Sequence, residues 1–147
     1  MIQGKSIYLA DDDADDCILF EDALRQVATN TLLRTANNGV ELMDILDKTV
    51  PPPPDVIFLD LNMPLKNGFE CLNDIKSTQR FKDIPVVVFS TSSEQDAIEK
   101  VYADGAHYYI CKPGSFAKLK SAIGAVLAID WTKHQNQPPK ESFLLNF

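Results

Sequence analysis

Polar and apolar positions follow two distinct rhythms along this chain. Nearly continuous apolar runs occupy Ser6 to Ala10, Leu32 to Ala36, Val56 to Asp60, Val86 to Ser90 and Tyr108 to Lys112. Runs this short, and so poor in polar interruptions, predict strands covered on both faces. Between them apolar residues recur at three- and four-residue steps, as amphipathic helices require. The stripes are Cys17, Phe20, Leu24 and Val27; Val40, Met43 and Leu46; Phe69, Leu72 and Ile75; Ala97, Val101 and Tyr102; and Phe116, Leu119, Ile123 and Leu127. Strict strand-helix alternation predicts an open, doubly wound α/β fold: five parallel strands joined by right-handed crossovers, with helices on both faces. Breakers fall at the joints, in Asn37-Asn38-Gly39, Asn67-Gly68, Asp104-Gly105 and Pro113-Gly114. Pro51 to Pro54 reads as a stiff connector before the third strand.

Composition narrows the picture. A chain of 147 residues, 45% of them hydrophobic, builds one core and leaves no room for a second domain. No run approaches the roughly 20 apolar residues of a membrane span, and no basic-then-apolar leader opens the chain. A cytoplasmic protein that makes no membrane contact is expected. The net charge of -7 disfavours nucleic acid, whose phosphates call for clustered Lys and Arg. Cys17, Cys71 and Cys111 are odd in number and lack CxxC spacing, which predicts buried reduced thiols. His107 and His134 are isolated and read as packed or surface side chains. The last helix should fade between Ala128 and Trp131. Beyond it, polar Thr132 to Pro139 gives way to apolar Phe143-Leu144-Leu145-Asn146-Phe147. This tail either docks on its own domain, docks on a second copy, or stays disordered.

Three of the apolar runs stop abruptly on charge: the first on Asp11-Asp12-Asp13, the third on Asp60 and the fifth on Lys112-Pro113. In a parallel sheet these ends share one edge, the edge where open α/β sheets bind ligands. Asp11, Asp12, Asp60, Ser90 and Lys112 should therefore converge. Carboxylates gathered there repel one another by about 4 kcal/mol per pair at roughly 4 Å and an effective dielectric near 20. A cation must compensate. Oxygen ligands without Cys or His suit a hard divalent ion, and a shallow site completed by water and phosphate suits Mg2+ better than Ca2+. Asp12 and Asp60, with a backbone carbonyl, are the natural ligands. Asp60, beside a metal and the Lys112 ammonium, is placed to attack a phosphoryl group. Asp13, Asp15 and Asp16 fall at the start of the first helix, where acids cap and complement the dipole.

These pieces together resemble the receiver domain of two-component response regulators. The resemblance rests on Asp11-Asp12 after the first strand, on Asp60-Leu61-Asn62-Met63-Pro64-Leu65-Lys66-Asn67-Gly68, and on Pro85 through Ser90. Gly105-Ala106, and Tyr109 followed by Lys112-Pro113, complete it. It spans roughly residues 5 to 130 and implies a flavodoxin-like sheet with strand order 2-1-3-4-5. A receiver unit of residues 1–131 with a tail of 132–147 too short for a DNA-binding effector is expected. The resemblance further implies that Asp60 accepts a phosphoryl group from a sensor histidine kinase or a histidine phosphotransfer protein. Asp12, Asp60 and the Asn62 main-chain carbonyl would hold Mg2+, with Asp11 reaching it through water. Lys112 would pair with a phosphoryl oxygen, and Ser90 would hydrogen-bond another. Tyr109 matches the aromatic switch position, and the Lys112-Pro113 bond would be cis. Asn62 and Ser92 would flank the attacking water. The face of the fourth helix, fifth strand and fifth helix, with Val101, Tyr102 and Tyr109, would then control a downstream protein partner or a homodimer. Such a chain is a signalling protein rather than an enzyme. Within the family it is similar to the regulators that partner bacterial phytochromes.

One departure bears on strength. Ser90 lacks the methyl that restricts a threonine rotamer, which loosens the coupling expected of the switch. Competing readings also remain. A haloacid-dehalogenase-like phosphohydrolase needs a second acid two residues after its nucleophile, where this chain has Asn62. A nucleotide- or flavin-binding domain needs a glycine-rich turn after the first strand, where three aspartates stand instead. A degenerate receiver acting only as an interaction module would not need the intact set Asp12, Asp60, Ser90 and Lys112.

Overall fold

The computed structural model describes residues 2–132 and 137–147, with the side chains of the first three residues outside the description. His134 lies outside the described residues. The strands are β1 (Ile2–Gln3), β2 (Ser6–Ala10), β3 (Ala28–Thr29), β4 (Leu32–Ala36), β5 (Val56–Leu59), β6 (Val86–Ser90), β7 (Tyr108–Cys111) and β8 (Leu144–Leu145). The helices are α1 (Ala14–Val27), α2 (Gly39–Lys48), α3 (Gly68–Ser77), α4 (Gln95–Ala103) and α5 (Phe116–Leu127), followed by a short 3-10 turn at Lys140–Ser142.

All pairings in the main sheet are parallel, and its order is β4-β2-β5-β6-β7-β8. The first five of these reproduce the order 2-1-3-4-5. The sixth strand is an addition to the five expected: the apolar end of the tail pairs with β7, covering an edge whose N–H and C=O groups would otherwise be open. A separate two-stranded ladder joins β1 to β3.

Period-two alternation sorts the side chains between two cores. Ile7, Leu9, Val56, Phe58, Val87, Phe89 and Ile110 point to the face covered by α1 and α5. Tyr8, Ala10, Ile57, Leu59, Val86, Val88 and Tyr109 point to the face covered by α2, α3 and α4. The central strands β5 and β6 are buried at every position, whereas edge strand β4 is largely exposed.

Local signals set the helix starts. Asp13 caps α1 by accepting from the N–H groups of Asp15 and Asp16. Asn67 and Glu70 form a reciprocal capping box at α3. In α2 the buried stripe is Gly39, Leu42 and Leu46, not Val40, Met43 and Leu46; Val40 is 52% exposed. The cause is Gly39, whose N–H donates to Lys66 O at 3.0 Å and whose absent Cβ would sit 2.1 Å from that oxygen. Docking this glycine turns the helix. The cysteines are free thiols, Cys71 buried and Cys17 and Cys111 half-buried. His107 is buried, and its Nδ1 accepts from Val86 N. Among the described residues the cis X-Pro bond lies at Pro51-Pro52 and not, as expected, at Lys112-Pro113.

Candidate functional site

Strand register assembles the charged ends. Ala10 pairs with Leu59, so the next residues, Asp11 and Asp60, emerge side by side from β2 and β5. Asp11 N donates to Ala36 O and Asp60 N to Ala10 O, each at 3.0 Å, which continues the ladder one step past the strands. Lys112 N donates to Ser90 O at 2.8 Å and brings the end of β7 against the end of β6. The loop that leaves Asp60 is equally constrained. A Cβ at Gly68 would lie 2.1 Å from Asp60 O, so only glycine lets α3 begin against that backbone.

Carboxylate oxygens of Asp11, Asp12 and Asp60 lie within 4.8 Å of one another. Asp11 and Asp60 are buried and Asp12 is exposed at the mouth. The Lys112 ammonium bridges the cluster, 2.7 Å from Asp11 Oδ2, 2.8 Å from Asp16 Oδ2 and 3.5 Å from Asp60 Oδ2. Three carboxylates thus share one ammonium. Burial raises the pKa of Asp60, and the Asp11 charge adds to it while Lys112 opposes both. Burial works against the Lys112 charge too, but its hydrogen bonds to Asp11 and Asp16 prevail and hold the ammonium above its ordinary range. An excess of oxygen anions within 4.8 Å fits a hard divalent cation.

The remaining predicted residues line the same edge. Asn62 and Ser92 face a common open cleft of about 420 Å³, with Leu61, Phe69 and Ala97. Ser90 is fully buried, and its Oγ accepts from Ser92 N at 3.2 Å. Tyr109, also fully buried, donates its hydroxyl to Ser92 O at 2.7 Å. Burial raises the pKa of that phenol. Ser90 and Tyr109, on adjacent strands, are therefore joined through one residue.

Two participants escape the sequence reading. Asp16 is more than a complement to the helix dipole, because its carboxylate pairs with Lys112 across 96 positions. No spacing rule signals that contact. Phe143 is the other: 1% exposed, its ring lies 4.9 Å from Tyr102 and 6.3 Å from Tyr109. The apolar cluster at residues 143–147 was its only signal.

Comparison with known proteins agrees with this geometry. Residues 7–124 match the family model described as the response regulator receiver domain. Response regulator Rcp1 of Synechocystis sp. is 33% identical over 126 residues, covering 83% of this chain and 86% of the relative. The phosphorylated cyanobacterial phytochrome response regulator RcpA superposes with a TM-score of 0.76 at 35% identity, over 83% of this chain and 90% of that one. The Mn2+-bound form of Rcp1 also gives 0.76, at 28% identity over 92% and 100% of the two chains. The probable methanogenesis regulatory protein FilR2 of Methanothrix harundinacea is 39% identical over 70 residues, 48% of this chain, which spans 45% of that protein. These relatives are regulators, so neither the phosphohydrolase nor the interaction-only reading is favoured. No helix among the described residues is long and apolar enough to cross a membrane. A parallel sheet of this order, three clustered carboxylates and a lysine at its carboxyl edge, and a family match across most of the length agree: the chain belongs to the response regulator receiver domain family of two-component signalling.

Proposed function

We propose that Asp60 accepts a phosphoryl group from a histidine of a sensor kinase or of a histidine phosphotransfer protein. The observation that carries this reading is the Asp11, Asp12 and Asp60 cluster within 4.8 Å, bridged by Lys112. In the transfer an Asp60 carboxylate oxygen forms a bond to phosphorus as the histidine nitrogen–phosphorus bond breaks. The nitrogen keeps the electron pair and is later protonated. Asp11, Asp12, Asp60 and the Asn62 main-chain carbonyl would hold Mg2+, whose charge offsets that of the transferring oxygens. Lys112 orients and neutralises one phosphoryl oxygen. Burial of Asp60 strips it of water and leaves it a better nucleophile.

The modified Asp60 presents new acceptor oxygens. The Ser90 hydroxyl turns to donate to one of them and withdraws from Ser92 N, and Tyr109 follows because its hydroxyl is held by Ser92 O. The receiver unit of residues 1–131 then passes the state to a downstream protein or to a second copy through α4, β7 and α5. Relatives described as phytochrome response regulators support a photoreceptor kinase as the donor, and a cytoplasmic setting goes with that reading. Incubation with Mg2+ and acetyl phosphate or phosphoramidate should add one base-labile phosphoryl group, read as an 80 Da mass increment characteristic of phosphorylation. Asp60→Asn should abolish it. Turnover of many phosphate esters without a stable adduct would reinstate the hydrolase.

A further inference from the structure

The surface named above for output is not open. Residues 137–147 lie over it. Gln137 Nε2 donates to Tyr102 O at 2.6 Å and Ala106 O at 2.7 Å, satisfying carbonyls at and just beyond the end of α4. Tyr102 in turn donates its hydroxyl to Pro138 O at 2.9 Å. Lys140 pairs with Glu99 at 3.3 Å, Tyr109 N donates to Phe143 O at 3.0 Å, and Leu144 and Leu145 add a parallel strand to β7. Phe143 is the anchor, buried between Tyr102 and Tyr109.

The hold is slight for the area it covers. The strand is two residues long, and the Lys140–Glu99 pair is half-exposed on both sides. Leu144 and Phe147 are 37% and 38% exposed. The segment also lies beyond residue 124, where the receiver match ends, so the sheet of the family is complete without it. What it fills has the two parts of a peptide site: a strand edge for main-chain hydrogen bonds and an aromatic recess between Tyr102 and Tyr109 for one side chain.

We propose that the α4–β7 face is a docking site for an extended peptide with an aromatic anchor, that residues 137–147 occupy it in cis, and that a partner engages by displacing them. The occupant's own chemistry defines the partner: a strand-forming segment, a phenyl or similar ring at the position of Phe143, and a basic residue near Glu99. The trigger rests on the phosphoryl-acceptor reading. Tyr109 touches both ends of the path, its hydroxyl on Ser92 O and its ring on Phe143. When Ser90 turns toward a modified Asp60, the Ser92 peptide and Tyr109 shift together, and the recess under Phe143 changes shape.

Hydrogen exchange and peptide binding on the full chain test this. In the wild type, residues 139–147 and the Tyr109 amide should exchange slowly. Phe143→Ala should speed both at least tenfold while β2 and β5 stay protected, and Gln137→Ala should do the same more weakly. A labelled peptide with the sequence of residues 137–147 should bind Phe143→Ala at least tenfold more tightly than wild type, and the same peptide with its phenylalanine replaced by alanine should bind neither. Equal binding to wild type and variant, or none to the variant, overturns the docking site. A wild-type particle of twice the chain mass that Phe143→Ala reduces to one overturns occupation in cis. Beryllofluoride with Mg2+ should accelerate exchange of 139–147 in wild type and not in Asp60→Asn. If acetyl phosphate phosphorylates Asp60 but beryllofluoride leaves the segment unchanged, the trigger is wrong and the acceptor reading stands. If no adduct forms, the acceptor reading and the trigger both fall, and the peptide arms still decide the docking site.

Discussion

The two faces of the sheet are built from the same strands but closed in different ways. Under α1 and α5, Phe20, Phe58 and Phe89 interlock edge to face with centroids 4.9, 5.9 and 6.1 Å apart, and every contributor to this ring cluster comes from the regular strand-helix alternation. Under α2, α3 and α4 the packing ends at Tyr109, and the last piece is Phe143, delivered by a segment outside that alternation. One face is sealed by rings of the fold itself, with Leu145 of the tail half-buried against it, and the other by a removable plug. The plugged face reaches the Ser90 side chain through Tyr109 and Ser92, whereas the sealed face meets the site through Asp16 of α1, which holds the Lys112 ammonium. Stability and response are thereby assigned to opposite sides of one sheet.

The contrast breaks most severely if the sealed face is damaged. Phe58→Ala removes a ring with no exposure and two aromatic neighbours, and should cost about 3–5 kcal/mol in chemical denaturation, with global loss of structure. Phe143→Ala removes a ring buried almost as deeply, yet should cost no more than about 2 kcal/mol, because its segment can detach while the five-stranded sheet persists. Equal losses for the two would erase the distinction between the faces.

Asp60→Asn probes the edge that both faces share. The folded state raises the Asp60 pKa, so the ionised carboxylate weakens the fold at neutral pH, and that penalty is relieved as pH falls toward the ordinary carboxylate range. The variant should therefore be more stable than wild type at pH 7, with the gain vanishing in acid, read as the shift in denaturation midpoint across the two pH values. Lys112 keeps Asp11 and Asp16, and Leu61 N keeps an acceptor. The last effect shows only as a function of pH and belongs to Lys76 at the far end of α3. Burial lowers its pKa to about 8, with Asp83 pulling the other way, while its ammonium donates to Lys82 O and Ile84 O. A lysine whose folded pKa is depressed weakens the fold below that pKa, and the penalty fades as pH rises to the unfolded value. Wild type should gain stability relative to Lys76→Met between about pH 8 and 10.5, measured as midpoint shifts.

Much of this was legible in the residues because it depends on local pattern. Apolar runs bounded by breakers mark the five main strands, and alternation with helices leaves few topologies. The charged strand ends follow from the same pattern, since strand register converts sequence position into a shared edge. Elsewhere two stripes compete within one helix: Val40-Met43-Leu46 and Leu42-Leu46 are both apolar, and a glycine docked on Lys66 O decides between them. The position of Asp16 fits a complement to the helix dipole, but its pairing with Lys112 needs the tertiary fold. The tail's place was open for a similar reason. Its apolar end could be read, but the recess that receives Phe143 is made by Tyr102 and Tyr109, from a helix and a strand that meet only in the folded sheet.

Joining the anchor Phe143 to the same chain as its recess has a consequence for how partners compete. A tethered segment presents itself at an effective concentration on the order of millimolar, whatever the dilution of the protein. A free peptide with the same intrinsic affinity, supplied at about one micromolar, meets roughly a thousandfold handicap. Small changes in the fit beneath Tyr109 then act as a gain control: they leave the partner's own contacts untouched and set how much of it must be present before it is heard.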